Sequence, residues 1–182
     1  MMPRVWAITD ASQDDDTIAS RAEDVCAALE DRVCIHLRDK EKAGAALFDR
    51  LRAVTRAHGS LFVASIAGAD GVHGTFSVST HSDDDVRNAR SKVILVSPIF
   101  ETPGKGPARG LDAIRSAARI TRIPIYALGG VDAGNARACI DAGAHGVAVI
   151  RAVFGRSNAG EAARALLVAI GQPQSRQGRK GA

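Results

Sequence analysis

Cysteines and aromatic residues are scarce in this chain of 182 residues. Its three cysteines, Cys26, Cys34 and Cys139, are odd in number and lack the spacing of metal ligands. Neither a disulfide framework nor a cysteine-bound metal module is therefore expected. Aromatic side chains amount to only 4%, which argues against the stacking surfaces of nucleic-acid-binding domains. These absences favour a reduced, cytoplasmic protein.

Long hydrophobic runs and a strong charge imbalance are also missing. The longest apolar runs have the length of a strand, so we expect neither a signal peptide nor a membrane span. The net charge is +4, and three of the positive charges lie in the polar segment 172–182, at Arg176, Arg179 and Lys180. The rest of the chain is close to neutral and has no basic stripe, so nucleic acid is not an expected partner. We predict one domain over 1–171, followed by a disordered basic tail.

Short β-rich runs alternate with helix-like segments along the chain. The runs read RVWAIT, VCIHL, SLFVAS, SKVILVS, IPIYAL and HGVAVI. Between them, apolar residues recur at helical spacing over 16–29, 41–57, 111–120, 132–142 and 159–170. Repeated βα units require parallel strands, because each helix returns the chain to the same edge of the sheet. The alternation therefore predicts an α/β fold with a parallel sheet.

Two successive strand-like runs end in turns that expose backbone. Gly129 and Gly130 follow IPIYAL, and Ile150 and Arg151 end the next run. Glycines let backbone N–H groups approach an anion closely, and Arg151 adds a guanidinium. In a (β/α)8 barrel, phosphates commonly bind at the loops after strands 7 and 8. We interpret the two turns as a phosphate site; the alternative is that the glycines only form a tight βα turn.

Two other strands alternate between apolar and polar residues. In IHLRDK the polar set is His36, Arg38 and Lys40, and in TFSVSTHS it includes Ser79 and His81. A parallel strand covered on both faces is apolar throughout, so these strands have one polar face. In a barrel that face would lie at the mouth and collect anionic groups. A solvent-facing edge strand is the alternative.

Several of these segments resemble the thiamine-phosphate synthases and their TenI relatives. The matching pieces, in the family's order, are AITD, IHLRDK, GADGVH, VSTHS, SPIFETPGK, IPIYALGGVDAGN and AGAHGVAVIRAVF. The resemblance implies a TIM-type (β/α)8 barrel that binds a small molecule, a thiazole phosphate, and leaves a homodimer open. It places the phosphate at Gly129, Gly130, Ile150 and Arg151. Around the pocket it places His36, Arg38, Lys40, Ser79, Thr102 and Lys105.

The chain departs from the synthases where they bind magnesium. In that branch an Asn-Asp pair ends strand 3 and an Asp follows strand 4, and the acids hold Mg²⁺ on the diphosphate of the pyrimidine substrate. The corresponding positions here are Ala-Ser-Ile at 64–66 and His-Gly-Thr at 73–75. Asp70 precedes a short strand and is expected at the opposite end of the barrel. No metal ligand is therefore expected in the pocket, and Mg²⁺ is implied only if the chain is a synthase.

Other residues resemble the TenI branch, whose members are known as thiazole tautomerases. His36 stands where synthases usually have Gln, FET at 100–102 resembles TenI, and His81 matches the histidine assigned there as acid and base. That reaction moves one proton and needs no cofactor. We therefore expect a metal-independent tautomerase acting on a thiazole carboxylate phosphate, with His81 as the catalytic residue. Three alternatives stay open: a thiamine-phosphate synthase, a degenerate barrel that only binds a phosphate ligand, and a His81 that merely caps the next helix.

The spacing between strands 3 and 5 is too short for complete βα units. Only Gly74 and Thr75 are available between strands 4 and 5, whereas a crossover between parallel strands needs a dozen or more residues. The barrel is therefore predicted to be truncated or distorted around strands 3 to 5. The residues leave open whether the barrel is open there or a flexible segment is absent from the sequence.

Overall fold

The computed structural model describes residues 2–38 and 44–171. Over these residues the chain forms eight strands: β1 (Val5–Ile8), β2 (Val33–Leu37), β3 (Leu61–Ala64), β4 (Gly71–Val72), β5 (Ser77–Thr80), β6 (Val93–Val96), β7 (Ile125–Leu128) and β8 (Gly146–Val149). The strands form one sheet in the order β4-β3-β2-β1-β8-β7-β6-β5, and every neighbouring pair is parallel. This confirms the predicted barrel. The predicted tail, 172–182, lies outside the described residues.

Six α-helices surround the sheet within the described ranges: α1 (Asp15–Leu29), α2 (Ala45–His58), α3 (Asp83–Asn88), α4 (Gly110–Ile120), α5 (Ala136–Asp141) and α6 (Ala159–Ile170). The fifth begins four residues later than predicted from the sequence. The Asp132 carboxylate accepts hydrogen bonds from the N–H groups of Gly134 (2.8 Å) and Asn135 (3.3 Å), which form a turn before α5 begins. No helix in these ranges has both the length and the apolar character needed to cross a bilayer.

Side-chain alternation along the strands builds two apolar layers. The layer inside the barrel contains Trp6, whose ring packs edge-on against Tyr126 with centroids 5.0 Å apart. The neighbouring residues Val5 and Ala7 point outward and pack in the layer beneath the helices. Polar residues on the inward-facing set, near the carboxyl ends of the strands, therefore reach the mouth of the barrel.

The arc from β3 to β5 carries no helix. Residues 65–70 connect β3 to β4, and 73–76 connect β4 to β5. In the second connection the N–H groups of Thr75 and Phe76 donate to the carbonyl of Val72, at 3.2 and 2.7 Å, and form a tight turn. The sheet therefore ends in two edge strands, β4 and β5, which are joined by an isolated bridge between His73 and Ser77 rather than by a continuous ladder. This confirms the predicted distortion of the barrel.

The aromatic ring of Phe76 occupies part of the seam between the two edge strands, β4 and β5. It packs directly on Gly71, where a Cβ atom would lie 2.5 Å from the Phe76 Cγ. The ammonium group of Lys92 lies 5.5 Å from the centroid of the same ring. A glycine in β4 thus lets one side chain occupy space at the seam between the two edge strands.

Candidate functional site

Two adjoining cavities lie at the carboxyl ends of the strands. The main cavity measures about 650 Å³, and its polar lining residues are His36, Arg38, Ser65, His73, Ser79, His81, Ser97, Thr102, Lys105 and Arg109. The side cavity measures about 500 Å³, and its lining includes Asp10, Gly130, Val131, Asp132, Arg151, Ala152 and Arg156. Both have walls formed by Thr102, Leu128, Gly129 and Ile150. Each volume is typical of a site for a small organic ligand.

The structure brings the predicted site residues together. Eight of them line the main cavity: His36, Arg38, Ser79, His81, Thr102, Lys105, Gly129 and Ile150. Thr102, Gly129 and Ile150 also line the side cavity, whereas Gly130 and Arg151 line the side cavity alone. Lys40 lies outside the described residues. The placement follows the sequence pattern, and the binding role of each side chain stays a prediction.

The side cavity has the features of an anion site. Gly129 and Gly130 have φ angles of 94° and 65°, a left-handed backbone that favours glycine. Within the described ranges, no backbone group accepts a hydrogen bond from the N–H of Gly130 or Arg151. The guanidinium groups of Arg151 and Arg156 add positive charge to the wall. Unpaired N–H groups beside two arginines suit a phosphate.

The geometry of His81 leaves one ring nitrogen available for chemistry. Its Nδ1 lies 3.1 Å from the backbone carbonyl oxygen of Ser97 and 3.3 Å from the Ser97 hydroxyl. A carbonyl oxygen only accepts, so this contact requires that Nδ1 carries the proton. In the tautomer with its proton on Nδ1, the ring has its lone pair on Nε2. His81 is therefore oriented as a proton acceptor at the wall of the main cavity.

The helix after His81 is capped by other residues. The Ser82 hydroxyl accepts from the N–H of Asp85, and the Asp85 carboxylate accepts from the N–H of Ser82. These two bonds form a capping box at the start of α3. The His81 ring takes no part in it, which excludes the capping alternative for this side chain.

A second histidine pair lies deeper in the main cavity. The rings of His36 and His73 are 4.9 Å apart, and the Nδ1 atom of His73 lies 2.8 Å from the Ser77 hydroxyl. Burial lowers the pKa of His36 to about 3, with smaller contributions from His73 and Arg38, and burial also lowers the pKa of His73. Both rings are therefore neutral at pH 7, and His36 offers a substrate a hydrogen bond and no charge.

The depressed pKa of His36 predicts that acid destabilises the fold. The unfolded pKa is 6.5 and the folded pKa is about 3, so in this window the unfolded state binds the extra proton and stability falls as the pH falls. At pH 5 this contribution amounts to about 2 kcal/mol. In the unsubstituted chain, the free energy of unfolding is expected to fall between pH 7 and pH 5. In His36→Gln we expect this fall to be about 2 kcal/mol smaller. Urea unfolding at both pH values measures the difference.

His58→Gln is the matched control, because His58 is partly exposed on α2 and pairs with Glu23 rather than with a buried ring. Its substitution removes one histidine without touching the cavity, so comparison with it isolates the effect of the buried position. Equal pH dependence in all three proteins would show that His36 accepts a proton in the folded state.

The main cavity has no carboxylate among its described lining residues. Asp70 lies at the other end of the barrel, as predicted, and its side chain accepts from the N–H of Phe62 at 2.9 Å. Asp10 lines the side cavity and accepts from the N–H and hydroxyl of Ser12. Within the described residues, no group of three or more His, Cys, Asp or Glu side chains could hold a metal. Mg²⁺ requires oxygen ligands with at least one carboxylate in most protein sites, so the described donor set does not fit this ion.

Sequence reasoning missed four polar residues of the main cavity: Ser65, His73, Ser97 and Arg109. His73 stands where a synthase acid is expected, so its sequence position indicates only a lost metal ligand. The signal for Arg109 was its place just before the helical segment 111–120, in the same loop as Lys105. Asp10 and Arg156 of the side cavity were also not predicted as site residues.

Comparison with known proteins gives one consistent group of relatives. A family described as thiamine monophosphate synthase matches residues 72–153. A thiamine-phosphate synthase of Thermus thermophilus is 34% identical over 150 residues, covering 66% of this chain and 73% of the relative. That of Gloeobacter violaceus is 32% identical, and the chain spans only 47% of its length. The solved thiamine phosphate pyrophosphorylase of Pyrococcus furiosus superposes with a TM-score of 0.75 at 22% identity, covering 92% of this chain and 95% of that protein.

Proposed function

The chain belongs to the thiamine-phosphate synthase/TenI family, and on that premise we propose that it catalyses the synthase reaction of thiamine biosynthesis. In this reaction a thiazole phosphate is joined to a pyrimidine diphosphate. The names of the relatives favour this activity over the tautomerase that His36 and His81 led us to expect from the sequence.

The observation that carries the proposal is the pair of adjoining cavities. The side cavity offers unpaired N–H groups and two arginines, which suit the phosphate of the thiazole substrate. The main cavity has three cationic side chains, Arg38, Lys105 and Arg109, and can receive a second anionic substrate. Because the two cavities share a wall at Gly129 and Ile150, substrates bound in them would lie next to each other. Two phosphate-bearing substrates are what a synthase must hold together.

The chain's own residues contribute orientation and charge to this reaction. The thiazole nitrogen donates its electron pair to the methylene carbon of the pyrimidine, and the bond from that carbon to the diphosphate oxygen breaks. The bonding pair leaves with the diphosphate. Positive side chains in the main cavity stabilise the charge that develops on the leaving group. We assign no step to Mg²⁺, because the described lining supplies no carboxylate for it.

The tautomerase is a second candidate, and the His81 geometry favours it. Its Nδ1 proton is held by the Ser97 carbonyl, so Nε2 can take a proton from a thiazole carbon and return it to another position. This reaction needs one phosphate site and one acid-base group, both of which the two cavities provide. It involves no diphosphate and no metal.

One assay separates the candidates. Purified protein is given the thiazole carboxylate phosphate alone, and in parallel thiazole phosphate with pyrimidine diphosphate and Mg²⁺. Formation of thiamine phosphate is the expected result. Aromatised thiazole without thiamine phosphate would replace the proposal by the tautomerase. Binding of thiazole phosphate without any product would overturn both activities and leave a barrel that only binds its ligand.

Magnesium binding is predicted to depend on substrate. Because the described lining of the main cavity lacks carboxylates, Mg²⁺ titrated into the substrate-free protein is expected to give no saturable heat at millimolar concentration. Isothermal calorimetry on EDTA-treated protein measures this. Saturable binding without substrate would contradict the prediction. If tautomerase activity is present, we expect EDTA to leave its turnover unchanged.

A further inference from the structure

Arg109 occupies a fixed position at the wall of the main cavity. Its backbone N–H donates to the carbonyl of Pro98 at 2.8 Å, and that of Gly110 donates to the carbonyl of Ile99 at 3.0 Å. These bonds tie the start of α4 to the loop that follows β6. The Arg109 side chain is 19% exposed, so most of it is covered by protein. It therefore differs from a mobile surface arginine.

The guanidinium of Arg109 is only partly satisfied by protein groups. Its Nη2 atom lies 3.5 Å from the Asp83 carboxylate, a contact too long to be a strong hydrogen bond. The other oxygen of Asp83 accepts from the Ser116 hydroxyl at 2.6 Å. The Nη1 atom of Arg109 is buried and has no hydrogen-bond partner. Buried donors are nearly always paired, so the protein groups around Arg109 leave its guanidinium unsaturated, and because Arg109 lines the main cavity, an anion bound there can supply the missing contact.

The charges around Arg109 define the class of that ligand. Arg38 and Lys105 line the same cavity, and no carboxylate does so among the described residues. Ser79, Ser97 and Thr102 add hydroxyl groups. A planar guanidinium with free donors is suited to two oxygens of one phosphate group, in contrast to a lysine ammonium, which acts as a point charge. The surroundings therefore select a ligand with several negative oxygens.

We propose that Arg109 binds the diphosphate of the second substrate and holds it through departure as pyrophosphate. The identity of the ligand rests on the proposed synthase function, whereas the requirement for an anion rests on the Arg109 geometry. Arg109 thereby supplies positive charge to the main cavity from the position just before α4.

Pyrophosphate binding tests the proposal without turnover. Calorimetry in EDTA-treated buffer is expected to show that Arg109→Gln binds inorganic pyrophosphate about 10- to 100-fold more weakly than the unsubstituted chain. Arg109→Lys keeps the charge and loses the bidentate contact, so we expect a loss of pyrophosphate affinity intermediate between those of the unsubstituted chain and Arg109→Gln. Because lysine also disturbs the fold less, the lysine variant still measures the contribution of Arg109 to affinity if the glutamine variant is unstable. Thermal unfolding of each variant confirms that a folded protein is measured.

Arg115→Gln is the matched control. Arg115 lies in α4, six residues after Arg109, is half exposed, and pairs with Asp112 at 2.7 Å. Its replacement is expected to leave pyrophosphate affinity unchanged. Equal affinity of the Arg109 variants and the unsubstituted chain would overturn the role of Arg109 and leave the proposed function intact. Absence of pyrophosphate binding to the unsubstituted chain would also overturn it, whereas formation of thiamine phosphate decides the synthase function separately.

Discussion

Replacement of Gly130 with valine is expected to lower the free energy of unfolding by about 3 kcal/mol. Gly130 has a φ of 65°, which is costly for a β-branched residue. An added Cβ would also lie 2.7 Å from the Phe100 Cβ and 2.8 Å from the Glu101 carbonyl oxygen. Backbone strain and steric overlap therefore act together. Urea unfolding, followed by circular dichroism, measures the loss.

Gly104→Val separates the two causes. Gly104 has a similar φ of 75°, and no heavy atom lies within 4 Å of an added Cβ. It therefore carries the backbone cost alone, and we expect about half the destabilisation found for Gly130→Val. Equal losses at the two positions would show that packing against Phe100 and Glu101 contributes nothing. No loss at either position would contradict the left-handed conformation itself.

This prediction shows where sequence reasoning about the glycine pair was incomplete. The position of Gly129 and Gly130 after a strand indicated a turn with accessible N–H groups. The structure adds a packing reason, because the loop after β6 lies against both glycines: a Cβ on Gly129 would be 2.9 Å from Pro98. The contact joins segments about thirty residues apart, and no local pattern in the sequence encodes it.

Periodicity predicted most of the barrel because it is a local property. The alternation around His36 and Arg38 correctly separated the cavity face of β2 from the outer face. The short spacing before Ser77 correctly indicated a distorted arc. The side-chain partners of that arc were not predictable, because the ring contact between His36 and His73 depends on how the turn at 73–76 folds back.

Arg109 shows a different limit of sequence reasoning. Its separation from Lys105 fits a loop, and nothing in the adjacent residues distinguishes it from the exposed arginines of α4. Its position depends on bonds to the loop after β6 and on Asp83, which lies at the start of α3. Sites assembled from several loops of a barrel are therefore recognised by cavity lining and unpaired donors rather than by motif.

His81→Asn is expected to have the largest effect on catalysis, and the effect depends on the reaction. If the protein moves a proton on the thiazole, we expect kcat to fall about 10²- to 10⁴-fold with KM within a few-fold, because asparagine cannot titrate. In the condensation assay we expect a fall of less than about 10-fold, because the bond-forming step transfers no proton from carbon. Steady-state kinetics with both substrate sets measures the two values.

Asparagine is the appropriate replacement because its side-chain amide can still donate to the Ser97 carbonyl, as His81 Nδ1 does at 3.1 Å. The substitution removes Nε2 and keeps the hydrogen bond to Ser97. A loss of turnover therefore reflects lost proton transfer rather than a displaced loop. His58→Asn is the matched control, because His58 lies on α2 and does not line either cavity. Wild-type tautomerase turnover in His81→Asn would remove the acid-base role of this histidine. A fall of 10²-fold or more in condensation would contradict the expectation for the synthase and show that its rate also depends on the Nε2 atom.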